Sequence, residues 1–321
     1  MKREFLVREH VASLSEFGKY PGARSVEELL EFGLVVIDKP PGPTCHQIDA
    51  WIEKIIPEVK KCSHGGTLDP RVSGVLVIAL NQAVKLMPVL LKSDKEYVAI
   101  MHVHRDFEEK KLLEVVAKFT GRIRQIPPKK SAVARRIRER TVHKIEILEI
   151  DGRDVLLRIA CEAGTYVRKL IADMGKELGG AHMQELRRTR SGIFGEEQAV
   201  LLQDFVDAYR WWRETGEEKY IREILYPGEK ICDMLKCVVV KDTAVSALCH
   251  GAPLSTRGIV MVEKGISPGN TVALLTLKGE LVALGKALLD GESMLRGKKL
   301  AAKVERVVMA RSAYPKIWKR E

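Results

Sequence analysis

The sequence predicts an α+β protein: a mixed, largely antiparallel sheet flanked by helices, followed by a small β-barrel-like domain. Three observations carry this expectation. The stretch "KIEILEIDGRDVLLRIACEAG" holds two period-2 runs on either side of Asp151-Gly152, a dipeptide suited to a short turn between antiparallel strands. Strand-like and helix-like stretches interleave around this hairpin, which argues against a doubly wound parallel sheet. From about residue 236 the chain becomes a series of short Val/Leu-rich runs broken by Gly and Pro, the pattern of a small barrel.

Taken in order, residues 1–33 are charged, with helix-like spacing in "SVEELLEFG" and a stop at Gly33. "LVVIDKPPGPTCHQIDAWIEKII" then reads as a short strand, a Pro/Gly loop and an amphipathic helix capped by Thr44. "GVLVIAL" (Gly74 to Leu80) is a buried strand, and "KEYVAIMHVH" (Lys95 to His104) alternates as another. "EEKKLLEVVAKF" and "TYVRKLIADMGKELG" carry helical spacing, the second ending in glycine. The expected divisions are an N-terminal extension (1–33), a larger α+β domain (34–235), a barrel-like domain (236–311) and a tail (312–321).

Composition narrows the function classes. A chain of 321 residues, 45% hydrophobic and 30% charged, has the make-up of a folded globular protein rather than a disordered one. The net charge of +11 makes a polyanion the first partner to test. No apolar run approaches the length of a membrane span, and "MKREFLVREH" has no apolar segment of the kind a secretory signal needs. Six cysteines without a C-x-x-C pair point to reduced thiols, and the expected location is cytoplasmic. His102 and His104 share a strand face, but the sequence places no third ligand beside them, so no metal is expected.

Four short stretches could carry chemistry, and each has a plain structural reading beside the functional one. "DKPPGPTCHQ" is a rigid loop presenting Lys39, or simply a turn between strand and helix. In "HGGTLDP" the paired glycines permit close approach to a backbone, while Asp69-Pro70 is equally a common turn start. "EAGTYVRKL" places Arg168 where a strand gives way to a helix, as a site group or a solvated cation. "MQELRRTRSG" gathers Arg187, Arg188 and Arg190, as phosphate contacts or as a basic helix end favoured by the dipole. The run from Pro127 to Arg140 adds Lys129, Lys130, Arg135, Arg136, Arg138 and Arg140, and such runs are often no more than a solvated face.

In this order, "DKPPGPT", "HGGTLDPRVSGVL", "KEYVA", "PPKKSAVARRIRER", "GTYVRKL" and "LRRTRSG" resemble the TruB/dyskerin class of RNA pseudouridine synthases. The full chain looks like the archaeal, guide-RNA-dependent branch of that class, and its second domain is similar to a PUA RNA-binding domain. The resemblance implies a pseudouridine synthase fold and isomerisation of uridine to pseudouridine in rRNA or tRNA, without cofactor or metal. It makes 34–235 the catalytic domain, with residues 1–33 packing on the last domain, and assigns the catalytic carboxylate to Asp69, with Arg168 as its guanidinium partner. Attack at the sugar C1′, attack at the base C6 and an elimination stay open, with Tyr97 stacking on the target base or serving as the base of the elimination. Leu186 resembles the apolar residue packing against the flipped base, and His64 and Lys39 resemble groups that shape the pocket or touch phosphate. The Pro127 to Arg140 run corresponds to a thumb loop closing over RNA, and Gly251 and Ala252 to a place where RNA approaches the barrel-like domain. Implied partners are an H/ACA guide RNA, a small zinc-ribbon subunit, a glycine-arginine-type subunit and a kink-turn-binding protein, with no membrane. A stand-alone tRNA pseudouridine synthase and a non-catalytic RNA-binding scaffold are the alternatives. The chain departs from the pattern at Cys45, where Ser or Thr is commoner, and at Arg105, where glycine is usual.

Overall fold

Alternation of apolar and polar residues drives the central sheet of this computed structural model, which describes residues 3–126 and 136–316. Segments 35–78 and 87–224 form one compact unit. Its sheet runs, in spatial order, through the strands Gly33–Lys39, Ser73–Leu80, Ala181–Ser191, Lys95–Val103, Asp154–Cys161, Arg138–Asp151 and Gly121–Gln125. Lys95–Val103 alternates buried and half-buried along its whole length and pairs antiparallel with both neighbours, whereas Ser73–Leu80 pairs parallel with Ala181–Ser191. Ser73–Leu80 is buried from Gly74 onward, as a continuous apolar run between other elements should be. The hairpin stands where the sequence puts it, displaced by one residue. Asp151 pairs with Asp154, so Gly152 and Arg153 are the loop, with Gly152 at φ +56°.

Helices cover this sheet with caps written in the sequence. Thr44 accepts the Gln47 N–H at 3.1 Å, and the Gln47 side chain returns to the Thr44 N–H at 2.8 Å, which starts Cys45–Ile55. Val167–Glu177 ends at Gly179 and Gly180, both in the left-handed region. The "MQELRRTRSG" segment is not a helix end. It lies in the eleven-residue strand Ala181–Ser191, because its strand neighbours on both sides take up its backbone bonds.

Residues up to 34, 79–86 and from 225 onward form the other unit. This differs from the sequence division, which assigned 79–86 and 225–235 to the catalytic domain. The Asn81 amide reaches the Leu30 carbonyl at 3.2 Å, and Lys85 reaches the Val308 carbonyl at 3.1 Å. The sheet runs through Phe5–Val7, Ile259–Glu263, Lys236–Val240, Thr271–Leu275, Leu281–Ala287, Leu300–Val307 and Leu254–Ser255. Its core is aliphatic, built on Val238, Val262, Leu274 and Val282, and it includes Tyr314, which the sequence reading placed in a tail. The Tyr314 hydroxyl donates to Glu280 at 2.9 Å, so the ring is buried with its polar end satisfied. The N-terminal segment is integral here: Phe5–Val7 pairs antiparallel with Ile259–Glu263, and Arg24 makes a two-pronged pair with Glu229 at 2.6 and 2.7 Å. All six cysteines are buried and unpaired. Among the described residues no helix is long and apolar enough to cross a membrane.

Candidate active site

The loop between Cys62–His64 and Ser73–Leu80 is the centre of the candidate site, and its shape is set by buried groups beneath it. Lys39 is fully buried, and its ammonium donates to the carbonyls of Pro40, Pro70 and Val72 at 2.9, 3.1 and 2.8 Å. It is a tie for the loop rather than a presented phosphate contact, and burial pulls its pKa below the ordinary lysine value. Arg188 is 1% exposed and donates to Val75 O at 2.7 Å and Gly66 O at 3.0 Å. It therefore sits under the loop and not on the surface, because its position on the strand turns it inward. Two neighbouring glycines hold backbone positions closed to a side chain. Gly66 has φ +128°, and a Cβ at Gly74 (φ +104°) would lie 2.2 Å from the Arg188 carbonyl oxygen.

Asp69 serves the turn through its backbone and turns its carboxylate outward. Its carbonyl accepts the Val72 N–H at 2.9 Å, closing a turn across Pro70-Arg71, while its carboxylate is free to pair with the Arg168 guanidinium. Both side chains are more than half exposed, so the pair faces solvent. Arg168 is presented by the start of Val167–Glu177, and Gln125 positions that start. This glutamine is 3% exposed, accepts the Tyr166 N–H at 3.0 Å and donates to the Tyr166 carbonyl at 3.2 Å. No motif marks Gln125, and sequence reasoning missed it.

The Cys45 departure has a local explanation. The thiol is buried, accepts the Leu68 N–H at 3.1 Å and lies 3.4 Å from the Leu68 carbonyl, so it does the bridging work a hydroxyl could do. His64 is 7% exposed, with Nδ1 2.7 Å from Asp49 and Nε2 3.3 Å from Thr67, and so braces the loop from inside.

On the floor, Tyr97 lies opposite Arg188 and Ala99 lies opposite Leu186, which puts Tyr97 and Leu186 on one face of adjacent strands. Burial pushes the Tyr97 phenol above its ordinary pKa, and the Asp69 charge acts on it in the same sense. Lys95, held by the carbonyls of Leu90 and Ser93 at 3.0 and 2.6 Å, is pulled down to about 7 by burial and then by the Arg188 charge. Unfolded, Lys95 keeps its proton up to its ordinary value of 10.5. Between these two values the unfolded chain binds more protons, so its cost to folding is complete below about pH 7 and fades as pH rises. We expect Lys95→Met to reduce the rise of unfolding free energy between pH 7 and 10 by up to about 1.4 kcal/mol per pH unit. Denaturant titrations across that range measure it, and equal slopes for both proteins would refute it.

The remaining basic residues divide. Arg187 is held by both oxygens of Asp38 at 2.9 Å and also by Glu196. Arg190 is exposed beside Glu96, and Arg136 is exposed. Arg138 opens its strand, while Arg140 lies 3.7 Å from Glu162. Lys129, Lys130 and Arg135 lie outside the described residues. His182 is the third imidazole that the sequence did not place beside His102 and His104. Strand register sets it opposite His102, with its Nδ1 3.0 Å from His104 Nε2.

In the other unit, Gly251 (φ +84°) and Ala252 donate their N–H groups to Leu248 and Ala247, so they cap the helix Asp242–Cys249. Gly251 also borders a cleft of about 480 Å³ lined by Lys85, His250 and Arg311, among others.

Comparison with known proteins covers the whole chain. Residues 54–167 match the TruB family pseudouridylate synthase N-terminal domain, and 168–233 the tRNA pseudouridylate synthase B C-terminal domain. Residues 236–308 match the PUA domain and 1–49 the DKCLD (NUC011) domain. A protein of Methanocaldococcus jannaschii named probable tRNA pseudouridine synthase B is 51% identical over 100% of this chain and 96% of its own length. One of the same name from Archaeoglobus fulgidus is 50% identical over 99% of each. Among solved structures, a chain of a Cbf5-Nop10-Gar1 complex is 50% identical with a TM-score of 0.93, covering 99% of this chain and 97% of its own. A chain of an H/ACA RNP bound to a substrate RNA containing 2'-deoxyuridine is 48% identical with a TM-score of 0.92, covering 99% and 98%. With an exposed aspartate at the turn of "HGGTLDP", an arginine paired to it and full-length relatives at half identity, this chain belongs to the TruB family of pseudouridylate synthases.

Proposed function

We propose that this chain isomerises uridine to pseudouridine in RNA as the catalytic subunit of an H/ACA guide ribonucleoprotein, with Asp69 as the reactive carboxylate. The observation that carries the reading is the Asp69–Arg168 pair, solvent-facing on a loop tied from below by Lys39 and Arg188. The reaction breaks the N1–C1′ bond and re-forms the link through C5 of the same base. It has no net reactant besides the uridine, and the proposed chemistry takes place without metal or cofactor. A carboxylate at the opening can attack the nucleotide or stabilise charge developing on the sugar, and a fixed guanidinium beside it holds it in place. The target nucleotide must leave its stack to reach this loop, and Tyr97 and Leu186 would receive the base.

Tyr97 serves as a neutral stacking ring in this reading. A buried phenol with a raised pKa is a poor base at neutral pH. Tyr97→Phe is expected to lower the rate less than about tenfold, whereas loss of a general base costs about 10²–10⁴. Single-turnover rates decide between them.

Exposed Arg136 and Arg190, together with Lys129, Lys130 and Arg135, would contact RNA phosphates, joined by Arg138 and Arg140 at the strand entrance. The cleft beside Gly251 and Ala252 would take a second RNA segment. The proposed partners are a guide RNA, a zinc-ribbon subunit, a glycine-arginine-type subunit and a kink-turn-binding protein, working in the cytoplasm. The names of the similar structures, which describe assemblies with Nop10, Gar1 and RNA, support this assignment. The names of the curated relatives favour a second reading, a tRNA enzyme acting without a guide. Mapping pseudouridines made by the purified chain on rRNA fragments and tRNA, with and without guide RNA and the partner subunits, separates them. Guide-dependent modification of rRNA supports the first reading. Modification of tRNA alone, unaffected by any guide, overturns it.

A further inference from the structure

We infer that His46, Asp49 and His64 form a site for one divalent transition-metal ion of the Zn²⁺ type, set against the inner side of the "HGGTLDP" loop. His46 and Asp49 lie three residues apart on the helix Cys45–Ile55, and so on one face of it. His64 ends the strand Cys62–His64. Asp49 Oδ2 is 2.7 Å from His64 Nδ1 and 3.9 Å from His46 Nδ1, and one donor atom from each residue falls within 4.8 Å of the others. Around a tetrahedral Zn²⁺ with bonds of about 2.0–2.2 Å, neighbouring ligand atoms stand about 3.3 Å apart. The two measured spacings bracket that value. Two imidazoles and a carboxylate are a donor set that suits such an ion.

An independent observation points to a ligand. Asp49 is 8% exposed, and its second carboxylate oxygen, Oδ1, is buried without a hydrogen-bond partner. A buried carboxylate oxygen left unpaired is costly, and a bound cation relieves that cost. The far side of the His64 ring is already braced, because Nε2 faces the Thr67 hydroxyl at 3.3 Å. A ligating imidazole needs such an outer partner, which lets Nε2 carry the proton and leaves the Nδ1 lone pair for the ion. His46 is 86% exposed, which opens an entry path and leaves room for water as a fourth ligand. A bound ion would move the proton shared between His64 Nδ1 and Asp49 to Nε2, facing the Thr67 hydroxyl, so a neutral His64 keeps its one proton. A loaded site would tie the helix to the strand and brace Thr67, two residues before Asp69.

The proposal concerns ion binding and does not depend on the catalytic role of Asp69. Its test is a titration of tag-free full-length chain, stripped with EDTA, with Zn²⁺ by calorimetry and with Co²⁺ by visible absorption. The expected result is one ion per chain, a higher unfolding temperature with Zn²⁺, and affinity at least about tenfold weaker in His46→Gln. That variant changes an exposed side chain, so its circular dichroism and its pseudouridine formation in metal-free buffer should match the parent. His182→Gln, which removes an imidazole from the separate His102–His104–His182 cluster, should leave affinity unchanged. Absence of saturable binding, equal affinity in His46→Gln and parent, or loss confined to His182→Gln each overturns the proposal.

Discussion

Asp69→Asn should abolish pseudouridine formation while RNA binding and stability survive. The substitution keeps the shape of the side chain and removes its charge and nucleophilicity. If the carboxylate reacts with the nucleotide or stabilises charge on it, the rate should fall by at least about a thousandfold. Folding should be nearly unaffected, within about 0.5 kcal/mol, because the Asp69–Arg168 pair is more than half exposed and such pairs contribute little to stability. Tritium release from 5-labelled uridine in a guided substrate measures the first effect, and RNA gel shifts with thermal unfolding measure the others. A variant that still converts uridine at the parental rate removes Asp69 from the chemistry. One that fails to bind RNA would make the residue a docking group instead.

Arg188→Met should have the largest effect on stability, with Arg190→Ala as its counterpart. Arg188 is 1% exposed, and its guanidinium serves the carbonyls of Val75 and Gly66. Methionine fills part of the space and donates nothing, so two buried carbonyls lose their donors. The expected cost is about 3–5 kcal/mol, which lowers the unfolding temperature by about 10 °C. Catalysis should fall as well, through loss of loop position, although the residue is buried. Arg190 is exposed two residues along, so Arg190→Ala should leave the unfolding temperature unchanged and weaken RNA binding with a smaller salt dependence. Equal unfolding temperatures for Arg188→Met and the parent would show that the buried arginine is not what holds the loop.

These two arginines show where sequence reading succeeds and where it stops. Features governed by a few adjacent residues were legible: the Thr44 cap, the hairpin near Gly152, the buried run after Gly74 and the glycine end of the Val167–Glu177 helix. "RRTR" was legible as a basic cluster but not as one buried and one exposed arginine: two residues apart they would share a strand face, and the irregular register between Arg188 and Arg190, opposite Tyr97 and Glu96, separates them. Lys39 looked presented to solvent because the carbonyls of Pro70 and Val72 that enclose it belong to a loop some thirty residues away. His182 joined His102 only through cross-strand pairing, and Gln125 acts through Tyr166, forty-one residues on. Long-range partners of this kind leave no periodicity or motif in the chain. Asp69 itself was legible only in company, through the ordered set of motifs around it.

The edge strand Phe5–Val7 has a consequence for how the protein is made. Leu6 pairs with Val262, so this segment leaves the ribosome about 250 residues ahead of its strand partner. At about 5–20 residues per second that delay is roughly 10–50 s. During it, a strand edge with Phe5 and Leu6 stands open, while residues 35–78 and 87–224 are already complete and able to collapse. Synthesis therefore supplies the whole catalytic sheet before the strands that pair with Phe5–Val7. A chaperone or RNA acting in that interval would meet an active-site unit that already has its form and a Phe5–Val7 segment still without its partner.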